Sequence, residues 1–116
     1  IRLGRALQDR HRTAAGLDGL VHLALVAARM AMGRALVAAK RWREAEAPLL
    51  AAWAALEPLD IDARRRSAAL LAVSQMYRDW AAADAGGVSA DVLESWRAKV
   101  RAFDAANPGV IPEGAY

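Results

Sequence analysis

A chain of 116 residues with one composition throughout reads as a single domain, long enough to bury about 65% of the surface its unfolded form exposes. It is 56% hydrophobic and 25% charged, rich in alanine and poor in strand formers, so the composition favours helices that pack backbone close to backbone. The absence of cysteine excludes disulfides and thiolate metal sites, and 16 Lys+Arg against 13 Asp+Glu leave a mildly basic chain.

The basic excess lies early, because Ile1–Arg43 holds nine Lys/Arg and two Asp/Glu. Such asymmetry steers an acidic partner or simply solvates helix faces. The longest apolar stretch, Leu17 to Ala39, is interrupted by Asp18, His22, Arg29 and Arg34, so no membrane span is expected. No secretory leader is evident, and the chain opens on Ile1 inside a helix, as a piece cut from something longer would. A reducing, cytoplasmic setting fits the missing cysteines.

Five helices are expected in chain order. The first covers about Ile1 to Ala15, with Leu3, Ala6, Leu7 and Ala14 inward, and Gly16-Leu17-Asp18-Gly19 reads as a turn. The second runs from about Leu20 to Lys40, where Leu25, Met32, Leu36 and Ala39 recur at the helical period. After a break at Lys40–Trp42 the third spans about Arg43 to Leu56, with Ala45, Leu49, Ala52 and Leu56 on one face. Pro48 sits near its first turn and Pro58 marks its end. Asp60 or Asp62 caps the fourth helix, which reaches Ala83 and turns Leu70, Val73, Met76, Tyr77 and Trp80 inward. Beyond Gly86-Gly87, Ser89 caps the fifth helix, with Asp91 in its first turn. That helix runs to about Ala105 and presents Val92, Leu93, Trp96, Val100 and Phe103, until Asn107-Pro108-Gly109 stops it. An extended tail, Val110–Tyr116, should follow.

The order of elements also repeats. Leu3, Ala6 and Leu7 find an echo in Leu49, Ala52 and Trp53, a spacing of about 46 residues, within the range of stacked helix pairs. From Arg29 to Pro58 the chain carries Met32-Gly33, Leu36, Ala45, Leu49, Ala52 and Pro58, and this stretch resembles one tetratricopeptide repeat. The physical basis is packing: Gly33, Ala45 and Ala52 are small enough to let two helices approach, while Leu36 and Leu49 fill the gaps. Arg41 to Leu50 is similar to the longer variant found in kinesin light chains and in bacterial signalling proteins, including regions that follow serine/threonine kinase domains. Leu70 to Trp80, with Trp96 to Val100, resembles the last repeat of such an array. Lys40-Arg41-Trp42 departs from the family's glycine-containing turn, and Ala81–Ser89 expands its short one.

The resemblance implies an all-α, right-handed stack of antiparallel helix pairs over residues 1–105: the second helix of a partial repeat (1–15), one repeat (20–57) and a last repeat (62–105). The tail, 106–116, follows it. It further implies a non-enzymatic module that binds a protein or peptide on its concave face, with no cofactor. On that face the family pattern places Ala27, Met30, Ala31, Arg34, Val37 and Ala38 from one pair, and Ala68, Leu71, Ala72, Gln75, Arg78 and Asp79 from the next. Arg34, Gln75 and Arg78 are suited to a peptide carboxylate or backbone. The alternative is a structural or self-associating spacer in a larger signalling protein, forming a homo-oligomer through exposed end helices.

Other chemistry finds little support. His11 and His22 stand on different helices without a third ligand, and Asp60 with Asp62 read as helix caps. Ser67, Ser74, Ser89 and Ser95 have no nucleophile setting. Gly86-Gly87 lacks the strand and the Gly-Lys-Ser/Thr of a phosphate loop. Arg64-Arg65-Arg66 reads as three exposed arginines on a first turn rather than a nucleic-acid contact, and Trp42, Trp53, Trp80 and Trp96 fall at packing positions.

Overall fold

Alanine-rich stretches bounded by turn residues become four helices in the computed structural model, which describes the backbone of residues 2–59 and 61–115 and the side chains of residues 19–59 and 61–115. These are α1 (Arg2–Ala38), α2 (Trp42–Leu56), α3 (Ala63–Ala83) and α4 (Ala90–Ala106), with no strand among the described residues. The chain is all-α. The expected inward residues Leu3, Ala6, Leu7 and Ala14, as well as His11 and Asp60, fall outside the described side chains.

The number of helices corrects the sequence expectation. Residues 16–19 are helical, so the first two expected helices are one element of 37 residues. Two glycines cost a helix only about 1 kcal/mol each relative to alanine, and no proline forces the chain out. The alanine-rich flanks therefore carry the helix through. At about 1.5 Å per residue α1 is about 55 Å long, and the molecule measures 64 × 30 × 21 Å. Its radius of gyration is 17.7 Å, well above the about 13 Å of a compact domain near this size.

Between α1 and α2 the turn is closed by a lysine. Lys40 adopts φ 59°, the Arg41 N–H donates to Leu36 O at 2.9 Å, and the Lys40 N–H donates to Val37 O at 2.9 Å. This pair of bonds is the Schellman helix stop, in which glycine usually holds the left-handed position. Here Lys40 holds that position. Pro48 lies in the second turn of α2, where it withholds a donor from the Glu44 carbonyl. Asp62 accepts from the Arg64 N–H at 2.9 Å and caps α3, and Ser89 accepts from the Val92 N–H at 3.2 Å and caps α4.

Each helix packs on its neighbour in sequence: α1 on α2, α2 on α3, α3 on α4, with a smaller contact of α1 on α3. Leu49, Leu70, Met76, Val73 and Val100 are the large side chains wholly enclosed. Ala45 and Ala52 are fully buried on α2, and a Cβ added to Gly33 of α1 would overlap Leu49 Cδ2 and lie 2.5 Å from its Cγ. The α1–α2 contact is therefore as close as two helices can make it at that point. Tyr77 ties three helices together. Its hydroxyl donates to Glu46 Oε2 on α2 at 2.9 Å, and its ring lies near-parallel to Trp80 and to Trp96 of α4, with centroids 6.3 and 6.0 Å away.

Two further expectations are corrected. Leu25 and Met32 of α1 and Val92 of α4 are exposed rather than inward, and Ala39 is exposed as well. The tail does not extend. Asn107 Nδ2 donates to the Phe103 carbonyl, the Val110 N–H returns to Asn107 O, and Gly109 takes φ 80°, so the chain reverses. Ile111 then enters the core at 8% exposure, because its apolar surface is worth more buried than solvated.

Candidate functional site

Four turns of α1, the end of α2 and the start of α3 enclose a groove of about 540 Å³. Helical spacing puts Leu20, Leu23, Ala24, Ala27, Met30, Ala31 and Arg34 along one side of α1. Leu56 closes the floor from α2, and Arg65 with Ala68 forms the opposite wall. Most of the lining is apolar, four alanines among it, and the two charged groups at the rim, Arg34 and Arg65, are both cations. Both are exposed, no acid lines the groove, and neither guanidinium is paired among the described residues.

Of the residues expected on the concave face, Ala27, Met30, Ala31, Arg34 and Ala68 come together here. Met30 is buried at 9% and forms part of the bed, whereas Arg34 stands in solvent. Val37 is half-buried against the core instead, and Ala38 is exposed at the helix end. Sequence reasoning missed Leu20, Leu23, Ala24, Val26, Leu56 and Arg65. The spacing of Leu20, Leu23, Ala24 and Ala27 was a usable signal, being the three-four-seven pattern of one helix face.

Apart from Ala68, which lines the groove, and the exposed Gln75, the second half of the expected face is half-buried. Leu71 and Ala72 are half-buried and packed on the core. Gln75 donates to Asp79 Oδ1 at 2.7 Å and accepts from Arg78, and Arg78 Nη1 donates to the Ala115 carbonyl of the tail at 3.2 Å. The tail thus satisfies Arg78, the side chain expected to hold a peptide. Arg78, Gln75 and Asp79 thus form a run of hydrogen bonds along α3 that ends on the tail.

The remaining sequence candidates fall as follows. His22 is exposed, and no three His, Cys, Asp or Glu side chains gather among the described residues. Ser67 and Ser74 are buried, with Ser67 Oγ donating to the Arg64 carbonyl at 2.9 Å. Arg64 and Arg65 are exposed, but Arg66 is half-buried, its guanidinium 5.6 Å from the Phe103 ring centroid. Trp53 and Trp80 are core residues, and Trp42 and Trp96 pack partly against it. The Tyr77 phenol is pushed well above its ordinary pKa, first by burial and then by its hydrogen bond to the Glu46 carboxylate. By length and composition alone Gly19–Ala38, with a mean hydropathy of 1.6, is apolar enough to cross a bilayer, contrary to the sequence expectation. Its alanines offset Arg29 and Arg34.

The fold and groove define a class in outline, an all-helical chain of sequentially packed helices with an open apolar cleft on one side. No family model, no curated protein and no solved structure matches the chain.

Proposed function

We propose that this chain is a segment of a tetratricopeptide-like stack of helix pairs that holds a peptide in the groove between α1 and α3. The order of helix contacts supports the stack: α1 meets α2, α2 meets α3, and α1 grazes α3, as paired helices in a solenoid do. The close approach of Gly33 to Leu49 supports it further, since the family pattern puts its small residue there. The observation that carries the binding reading is the groove itself, an apolar bed edged by Arg34 and Arg65 with no acid in its lining among the described residues. A peptide that sets Leu or Ile side chains on Ala27, Ala31 and Met30 would gain burial, and a carboxylate on it would gain charge-assisted bonds from the guanidiniums.

The test uses alanine methyl groups as reporters. The chain, labelled at its alanine methyls, is titrated with a capped decapeptide alternating Leu and Glu, and with its Leu/Gln counterpart. Shifts should concentrate at Ala24, Ala27, Ala31 and Ala68, and the Glu peptide should bind more tightly. Replacing Arg34 and Arg65 with alanine should weaken the Glu peptide about tenfold, equivalent to about 1.4 kcal/mol, and leave the Gln peptide nearly unchanged. Shifts scattered over α4, or equal affinity for both peptides, would remove the proposal.

A further inference from the structure

The helix α1 has the sequence of an element packed on two sides and is packed on one. Setting Gly33 beside Ser74 aligns α1 with α3, and the same shift sets Val26 beside Ser67; all four residues are buried. It also sets Ala28 beside Ala69, Met32 beside Val73 and Ala35 beside Met76. The three α3 residues are completely buried, whereas Ala28 and Ala35 are exposed and Met32 is 58% exposed. The difference lies in neighbours, because α3 lies between α2 and α4 while α1 has α2 and only the edge of α3. From Gly19 to Ala38, one face of α1 is left without a partner among the described residues.

That face is regular. Val21, Leu25, Ala28, Met32, Ala35 and Ala39 succeed one another at alternating steps of four and three, the seam of a two-stranded coiled coil. Val21 and Leu25 are 62% and 50% exposed. Small residues at 28, 35 and 39 allow two backbones to approach, and the larger side chains at 21, 25 and 32 fill the intervening space. Arg29 lies beside the seam, where its methylenes can cover apolar surface while the guanidinium stays in water. The stripe offers roughly 500 Å² of apolar surface per copy, so two copies reach about 1,000 Å², the lower edge of specific interfaces.

The far end of the molecule says what kind of partner fits. The outer face of α4 carries exposed Glu94, Arg97, Lys99 and Arg101, with Arg101 and Glu94 paired at 2.5 Å. Among the exposed residues of α4, Val92 at 36% is the one large apolar side chain and the rest are charges, alanines and a serine, so copies stacked head to tail would set much of the stripe against charge. A stripe that meets its own equivalent is covered on both sides at once, the arrangement of a two-fold dimer.

We infer that α1 pairs with α1 of a second copy of this chain through the stripe from Val21 to Ala39. This surface is distinct from the groove beside Arg34, which stays open in the dimer.

Sedimentation equilibrium of the whole chain should show a dimer at concentrations of order 100 μM, and Met32→Glu should weaken it at least tenfold. Met32 is exposed, so at dilutions where the parent is monomeric the helical circular dichroism and melting temperature of that variant should match it. Because the chain lacks cysteine, single thiols report the contact directly. Under mild oxidation Ala28→Cys should form a disulfide-linked dimer, and Ala27→Cys, on the groove side, should not. A monomer throughout the concentration range would overturn the inference, as would a dimer indifferent to Met32→Glu. Equal linking of the two cysteine variants, or a monomer that sediments with phosphatidylcholine vesicles, would do the same.

Discussion

Two glycines in one helix provide a direct test of how α1 is held. Replacing a mid-helix glycine by alanine gains about 1 kcal/mol from backbone entropy and helix propensity alone. At Gly19 a Cβ meets nothing within 4 Å, so Gly19→Ala should realise that gain and raise the melting temperature by about 4 °C. At Gly33 the same methyl overlaps Leu49 Cδ2 and lies 2.5 Å from its Cγ, and Leu49 is fully buried. Overpacking of that kind costs about 1–3 kcal/mol, so Gly33→Ala should be destabilising by about 1 kcal/mol after the propensity gain is subtracted. Leu49→Ala alone should cost about 2–5 kcal/mol through the cavity it leaves. In the Gly33→Ala background that cost should shrink by at least about 1 kcal/mol, because the new methyl fills part of the cavity. Urea denaturation followed by circular dichroism measures all four proteins. If Gly33→Ala stabilised as much as Gly19→Ala, or if the double variant were additive, α1 and α2 would not be in the contact described.

Lys40 holds a left-handed conformation that glycine adopts without strain, so Lys40→Gly should stabilise by up to about 1 kcal/mol; a lowered melting temperature would contradict the helix stop assigned there. Tyr77→Phe removes the bond to Glu46 and should cost about 1–2 kcal/mol in thermal denaturation, since the carboxylate loses a buried donor. Because the folded pKa of Tyr77 is raised, its contribution to stability is complete below pH of about 10, the unfolded value, and is lost as pH rises toward the folded one. Ultraviolet titration should show a late phenol ionisation that the Tyr77→Phe variant lacks, and an ordinary titration of that phenol in the folded chain would refute the assignment.

Periodicity found α3 and misjudged α1 for the same physical reason. On α3 the large apolar side chains Leu70, Val73, Met76, Tyr77 and Trp80 mark one broad inward stripe, and two neighbouring helices bury it. On α1 apolar residues occur on every face, so the phase of the pattern does not say which face meets α2. What decides is closeness: Gly33 turns toward Leu49, which carries Val26 and Met30 inward and leaves Leu25 and Met32 outside. The smallest residue was a better guide than the largest ones. Gly16 and Gly19 misled in the opposite sense, because a turn requires a conformation that a helix excludes, and glycine permits both.

The groove shows where a pattern of faces stops being informative. Family spacing placed Met30, Arg34, Gln75 and Arg78 on one surface. Whether a face is open depends on chain distant in sequence. The tail turns back at Asn107, buries Ile111 and brings the Ala115 carbonyl to Arg78, and no local feature of α3 announces that contact. On α1 no such cover arrives, and Arg65, read as one of three solvated arginines, becomes the counterpart of Arg34 because the α2–α3 connection sets the first turns of α3 opposite α1. The same asymmetry leaves α1 with two different uncovered faces. One is concave and edged by cations, which suits an acidic peptide; the other is a straight apolar seam, which suits a second helix. Charge separates them: Arg34→Ala with Arg65→Ala should weaken peptide binding without changing dimer mass, and Met32→Glu should do the reverse. Were either the arginine pair or Met32→Glu to disturb both readouts, the two faces would be one site.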